Sequence, residues 1–386
     1  MEPMQIDCLP RQELTPEHLA AWSGLQCADP ALDSPFFRPE FSQLVAEVRP
    51  DVEVAVVESR GCYVGFWPFQ RTAGNVACSA GRTLCDFEGL VAERDLVWSP
   101  EEVLRQCRLA TWSFDHAVAS QAPLHNFHWH CSRSPVIDLT SGFDEYYRRK
   151  RLAGSSTLRE TLRKARKLER DVGPLRFVPH HSDERLLHTV INWKRAQYQR
   201  IRSVDHLSAP WTRELLARVA RYRSPDFSGM LSALYAGDHL VGAHLGLRSR
   251  HVLHSWFPTF NREFERYSPG LVFWLTLAQQ AAELGIQRID LGRGDERYKQ
   301  SLKTGDIVLA EGTIEVRNAT RALRRSWWLA KHVVRRSPLA TPLRYIIRSA
   351  RAAKRLRNSE TLVEPDVSRP NARSESHHEE PVLKCD

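Results

Sequence analysis

In residues 267–285, Leu271, Trp274, Leu275, Ala278, Ala281 and Ala282 recur at helical spacing, and residues 286–291 then form a short apolar run. The change of period predicts an amphipathic helix that ends at Gly285 and leads into a buried strand. Ser268 is a favoured residue just before a helix, Pro269 suits the first helical position, and Gly270 leaves the first turn without a side chain. Outward-pointing amide groups at such an entrance, backed by the helix dipole, suit an anion, and the glycine admits a bulky phosphate. A cap that binds nothing fits the same three residues.

The first 140 residues read as a mixed α/β unit. A helix begins near Pro16 and contains Trp22; "VEVAVVESRGCYVGFWPFQRT" holds two strands joined as a hairpin at Arg60 and Gly61. A turn-rich segment follows, then a helix start at "SPEEVLRQCRLA", a strand at "WSFDHAVA", and "SPVIDLTSGFDEYYRRK", a strand leading into a helix. Further on, a basic helix ends near Gly173 and Pro174, "PLRFVPH" is a strand, and "SDERLLHTVINWKRAQYQRI" and "PWTRELLARVARYR" are helices. "GMLSALYAGDHLVGAHLGLRS" and "RHVLHSWFPTF" supply strands, with a turn at Ala236, Gly237 and Asp238. This order predicts an α/β (α+β) fold, a mixed sheet with helices packed on it. The expected organisation is an N-terminal domain over 1–140, a second domain over 141–318, basic amphipathic helices over 319–358, and a disordered tail over 359–386.

With 386 residues, 42% of them hydrophobic, the chain has enough apolar surface for two cores. No apolar run approaches the roughly 20 residues of a membrane span, and the opening segment has neither the basic start nor the apolar centre of a signal peptide. The expectation is a cytoplasmic protein. The net charge of +9 is unevenly placed: residues 317–357 carry thirteen Lys or Arg and no acid, and "YYRRKRLAGSSTLRETLRKARKLERD" is a second basic stretch. Such surfaces attract nucleic acid, anionic lipid or a phosphorylated cofactor, or they are solvated helix faces. The eight cysteines include no C-x-x-C pair and suit reduced thiols. In "HNFHWHC", His128 and His130 share a strand face while His125 and Cys131 point away, so a surface strand fits better than a metal site, and no metal is expected.

"GDHLVGAHLGLRS", "HSWFPTFNREFERYSPGLVFWLTLAQQAAELG" and "IDLGRGDERYKQSLKTG", in this order, resemble the GNAT-type acyltransferases of the CelD/BcsL branch, associated with bacterial cellulose and exopolysaccharide biosynthesis. The resemblance covers about residues 141–318 well; "CDFEGLVA" and the 134–170 region are less specific. It implies tandem GNAT-like halves, each a mixed twisted sheet with helices on both faces, in an enzyme of the cytoplasm. The basic amphipathic helices of 317–357 suit either peripheral contact with an anionic membrane at its inner face or packing against the protein's own body. The co-substrate implied is acetyl-CoA or another acyl-CoA, and the acceptor a small molecule or saccharide. In that fold two parallel strands splay apart, here "RHVLHSWFPTF" and "IQRIDLG", and the diphosphate sits at the next helix mouth, here Arg266, Tyr267, Ser268, Pro269, Gly270 and Leu271. The usual phosphate loop has more glycines, preceded by Arg or Gln; this chain has Arg266 and one glycine.

Direct transfer needs a base, a donor for the developing oxyanion and an acid for the leaving thiolate. Asp290 or His254 is the candidate base, although Asp290 paired with Arg288 or Arg293, and His254 as a core residue, fit equally. Tyr298 is the candidate acid and Lys299 the cation for a carbonyl or phosphate; a core tyrosine and a solvated lysine are the alternatives. Asp86, Trp193, Lys194, Gln197, Tyr198, Trp256 and Arg293 are candidates for the acceptor side. Two other readings are a Fem-like transferase using aminoacyl-tRNA, and an inactive scaffold held at a membrane by 317–357.

Overall fold

The computed structural model describes residues 4–181 and 183–316. In the first half, β1 (Gln5–Pro10), β2 (Val52–Ser59), β3 (Cys62–Thr72) and β4 (Val76–Ser79) are successive antiparallel neighbours. Strand β5 (Val91–Ala92) borders β3, and β6 (Thr111–Val118) lies parallel to β4. After β7 (His128–Asp138) the layout repeats. Strands β8 (Leu175–Val178), β9 (Phe227–Ala236), β10 (His239–Ser249) and β11 (Val252–Phe260) run antiparallel in turn, and β12 (Arg288–Asp290) lies parallel to β11. Four antiparallel strands followed by one parallel joint thus occur twice, as a tandem fold requires.

The halves share one sheet. Strand β13 (Gly305–Glu315) pairs antiparallel with both β6 and β7, and β7 pairs with β12, so the order is β1-β2-β3-β4-β6-β13-β7-β12-β11-β10-β9-β8. The described residues form one compact unit. The sheet therefore runs unbroken past residue 140.

Alternation along the strands sends side chains into separate cores. On β2, Val52, Val54 and Val56 enter one core while Ala55 and Val57 enter another. Strand β9 is buried along nearly its whole length, because helices cover both of its faces. On one face lie α1 (Pro16–Ala28), α2 (Pro39–Val48), α6 (Glu184–Arg200) and α7 (Pro210–Arg221), whose core joins the halves. There Phe36 and Phe41 meet Trp256 edge-on, with ring centroids 6.3 and 6.2 Å apart. On the other face, α3 (Pro100–Gln106) covers the first half, and α4 (Gly142–Leu152), α5 (Ser156–Val172) and α8 (Pro269–Glu283) cover the second. The short α9 (Arg297–Leu302) precedes β13.

The basic stretch after β7 is two helices, α4 and α5, divided at Gly154 and Ser155. Among the described residues no helix is long and apolar enough to cross a membrane. The basic helices and tail expected at 319–358 and 359–386 lie outside the described residues.

Candidate active site

Strands β11 and β12 pair over three positions only, Val252 with Arg288, Leu253 with Ile289 and His254 with Asp290. Beyond them the strands part. Strand β11 continues along β10 to Phe260, while the chain after β12 follows β7, Leu291 donating to the Pro135 carbonyl at 2.9 Å. The opened edge of β11 faces a cleft of about 570 Å³, with Ser255, Trp256, Pro258, Thr259 and Phe260 on one wall and Leu291, Gly292 and Arg293 on the other. Its far end is the N-terminus of α8.

At that end Ser268 is left-handed, φ 53° and ψ 57°, and its side chain caps no helical amide. The Ser268 hydroxyl instead takes a 2.8 Å hydrogen bond from Lys164 of α5, which draws an ammonium to the helix mouth. Leu271 and Val272 donate to the Ser268 carbonyl at 3.0 and 3.2 Å, whereas the Gly270 N–H has no acceptor among the described residues. Ser268, Pro269, Gly270 and Leu271 line the cleft together with Glu265, and Lys164 also pairs with Glu160 at 3.4 Å. In the first half, the corresponding place after β4 holds only a 3-10 turn, Arg82–Leu84, so no long helix opens there.

At the near end a chain of ionisable groups crosses the joint between the halves. The His254 ring is fully buried, its Nε2 2.8 Å from Asp86 Oδ2 and its Nδ1 3.7 Å from Asp290 Oδ2. Burial disfavours the imidazolium, but Asp290 and Asp86 on its two sides outweigh that and raise its pKa to about 9. Asp290, equally buried, also accepts 2.5 Å and 3.0 Å hydrogen bonds from the Ser134 hydroxyl and the Gly292 N–H; despite desolvation it stays below the usual carboxylate range. His244 on the neighbouring strand shows the opposite outcome. Burial among Phe273 and Trp274, with His254 and Lys194 near, lowers it to about 3 and keeps it neutral.

Asp86, unlike His254 and Asp290, reaches the cleft. Burial pushes its carboxyl up, but the hydrogen bond and charge of His254, with His116 and Arg293, hold it below its ordinary value. His116 Nε2 lies 4.0 Å from Asp86 Oδ1 at the cleft wall, and its Nδ1 lies 2.5 Å from Asp115. Burial lowers the His116 pKa, yet Asp115 and Asp86 leave it raised overall. Beneath, Glu88 accepts from the Asp115 and His116 amides at 2.8 and 3.1 Å, and burial with the Asp115 charge raises it to about 7. An ionised carboxylate held between two imidazoles at a cleft wall can accept a hydrogen bond, and then a proton, from a group bound beside it.

The loop after β12 closes the cleft. Lys299 donates to the Gly292 and Arg293 carbonyls at 3.1 and 3.0 Å and pairs with Glu296 at 3.1 Å, so its ammonium holds the loop. Tyr298 lines the cleft beside it; burial raises its pKa and keeps the phenol protonated. Arg293 reaches the first half, donating to the Asp115 carbonyl at 2.6 Å. Lys194 enters from α6 and donates to the Pro258 carbonyl at 3.4 Å.

The structure thus gathers Asp86, Gln197, Trp256, Ser268, Pro269, Gly270, Leu271, Arg293, Tyr298 and Lys299 around one cleft. His254 and Asp290 lie behind its wall. Arg266 stacks on the Tyr267 ring at 4.7 Å, and the Tyr267 hydroxyl donates to Asp171 at 3.1 Å, tying the turn before α8 to α5. Trp193 lines a separate small cavity with Gln197 and Arg200, and Tyr198 packs beneath Lys194 and against His206. His116, Glu88 and Ser134 escaped the sequence reading. Strand alternation in "WSFDHAVA" puts His116 on a buried face, a signal that was available, but nothing local ties it to Asp86. Among the described residues no group of three or more His, Cys, Asp or Glu could hold a metal ion.

Residues 155–300 match the family model described as Acetyltransferase (GNAT) domain. No curated protein sequence matches the chain. FemX has a similar structure, with a TM-score of 0.52 at 10% identity, over 82% of this chain and 99% of that one. So does the C-terminal domain of a protein named as a lysylphosphatidylglycerol synthetase from Agrobacterium fabrum, with a TM-score of 0.50 at 12% identity, over 82% of this chain and 95% of that one. At such identities the likeness concerns the fold. The fold is a mixed α/β arrangement of the tandem GNAT kind, and its second half contains the segment that matches the acetyltransferase domain.

Proposed function

We propose that the protein transfers an acyl group from a coenzyme A thioester, acetyl-CoA foremost, to an amine or hydroxyl of a small-molecule or saccharide acceptor, with both substrates bound at once. The observation that carries this reading is the parting of β11 and β12 after three paired residues, opening a cleft that runs to the uncapped mouth of α8. The residues present suit the donor. Ser268 to Leu271, with the free Gly270 N–H and the Lys164 ammonium, would hold a diphosphate, and the open edge of β11 would hold the amide-bearing arm. The donor supplies an activated acyl carbon. Asp86 takes the proton of the acceptor, His254 and Asp290 position that carboxylate and balance its charge, and Tyr298 donates a proton to the departing sulfur.

The setting that goes with this reading is polysaccharide or cell-envelope assembly in the cytoplasm, with 317–357 touching an anionic membrane; the motif resemblance and the charge of that segment support it. Titration calorimetry with coenzyme A tests the core of the reading. Wild type should bind, and Gly270→Glu should bind at least about tenfold more weakly, because a carboxylate then faces the phosphates. A Cβ at Gly270 meets only the Phe260 ring, at 3.4 Å, so the variant should fold. Equal affinity in both proteins would refute the placement. A second reading, an aminoacyl-tRNA donor, is favoured by the exposed basic residues of α4 and α5, among them Arg148, Arg151, Arg159, Arg163 and Lys167. Binding of charged tRNA in place of coenzyme A would select it.

A further inference from the structure

The cleft contains two lysines in opposite conditions. Lys299 has three partners, two carbonyls and a carboxylate, and is committed to its loop. Lys194 has one hydrogen-bond partner among the described residues, the Pro258 carbonyl, lies over the Tyr198 ring at 5.7 Å, and forms no ion pair among the described residues. Its position is fixed from the sequence upward. Leu187, Val190 and Ile191 bury one face of α6 in the core between the halves, and Lys194 follows them at helical spacing, so its side chain points at β11. There the amine lies against the edge that β12 has left open, between the helix mouth and the Asp86 end of the cleft.

We propose that Lys194 is an acylation site of the protein itself, modified by the coenzyme A thioester bound in its own cleft. This rests on the acyl-CoA reading above. The Lys194 nitrogen attacks the thioester carbonyl carbon; a C–N bond forms as the C–S bond breaks, and the proton lost from nitrogen ends on the released thiol. The product is an amide that carries no charge, and the thioester is the only co-reactant. Burial, and then the charge of Lys299, lower the Lys194 pKa to about 8 against a partial restoring pull from Glu296 and Asp86. Relative to the ordinary lysine value of 10.5, that raises the neutral, nucleophilic fraction at neutral pH about 300-fold.

The test uses the full chain incubated with acetyl-CoA, followed by intact mass and peptide mass spectrometry. The expected result is one acetyl group per chain, located on Lys194, with a labelling rate that climbs with pH until about 8 and then levels. Lys194→Arg should lose the label while keeping its circular dichroism. Gly270→Glu should lose the Lys194 label while any acetylation of exposed lysines persists. Wild type that binds coenzyme A with Lys194 left unmodified, or labelled no faster than exposed lysines, overturns the proposal alone. Wild type that binds no coenzyme A removes the donor reading and this inference with it.

Discussion

Replacing His254 by glutamine tests whether a buried cation joins the two halves. The imidazole has Asp86 on one side at 2.8 Å and Asp290 on the other at 3.7 Å, and none of it is exposed. Raising its pKa from 6.5 to about 9 corresponds to about 3 kcal/mol of folding stability. The folded value lies above the unfolded one, so this contribution is complete below pH 6.5 and is lost as pH rises through about 9. His254→Gln keeps a polar side chain against the edges of Phe36 and Phe87 but cannot become charged. The variant should therefore be about 3 kcal/mol less stable than wild type at about pH 6, and the gap should nearly close above pH 9. Urea unfolding of both proteins at the two pH values, followed by tryptophan fluorescence, reads this directly. A gap of the same size at both would mean that His254 is neutral in the folded protein, and the charge chain through Asp86 and Asp290 would have no cation at its centre.

Asp86→Asn should lower thiol release from acetyl-CoA by about 10²- to 10⁴-fold with coenzyme A affinity unchanged; undiminished turnover would place the base elsewhere. Ser134→Ala removes a 2.5 Å hydrogen bond to the buried Asp290 carboxylate and should cost about 1.5 to 3 kcal/mol in urea unfolding at neutral pH, whereas an unshifted midpoint would show that Asp290 does not depend on it. Gly312→Ala should destabilise by about 2 kcal/mol or more, because a Cβ there would overlap the Phe127 carbonyl and the Phe114 ring; normal soluble yield and midpoint would contradict the packing of β13.

Local features of this fold were legible because local forces set them. Helix α8 begins at Pro269 and its last turn closes just before Gly285, φ 75°, as the residue types demand, and the Arg60-Gly61 hairpin lies between β2 and β3. The left-handed turn at Ser268 was not legible, since serine rarely adopts it and the Lys164 hydrogen bond that accompanies it comes from a helix 104 residues earlier. The same limit applies to the site. Asp86 and His254 each stand in a suggestive local context, but their contact spans 168 residues and depends on aromatic packing between the halves. No periodicity encodes such a pairing. The insertion of β13 was equally hidden: its sequence reads as an ordinary strand, and its two neighbours are settled only by the completed sheet.

That insertion inverts the order of synthesis at the centre of the molecule. As the ribosome extends the chain, β6 ends 187 residues and β7 ends 167 residues ahead of the first residue of the strand that will lie between them, and each presents an unsatisfied hydrogen-bonding edge in the meantime. Cutting the chain just before Gly305 would therefore excise the middle of the sheet rather than shorten its rim.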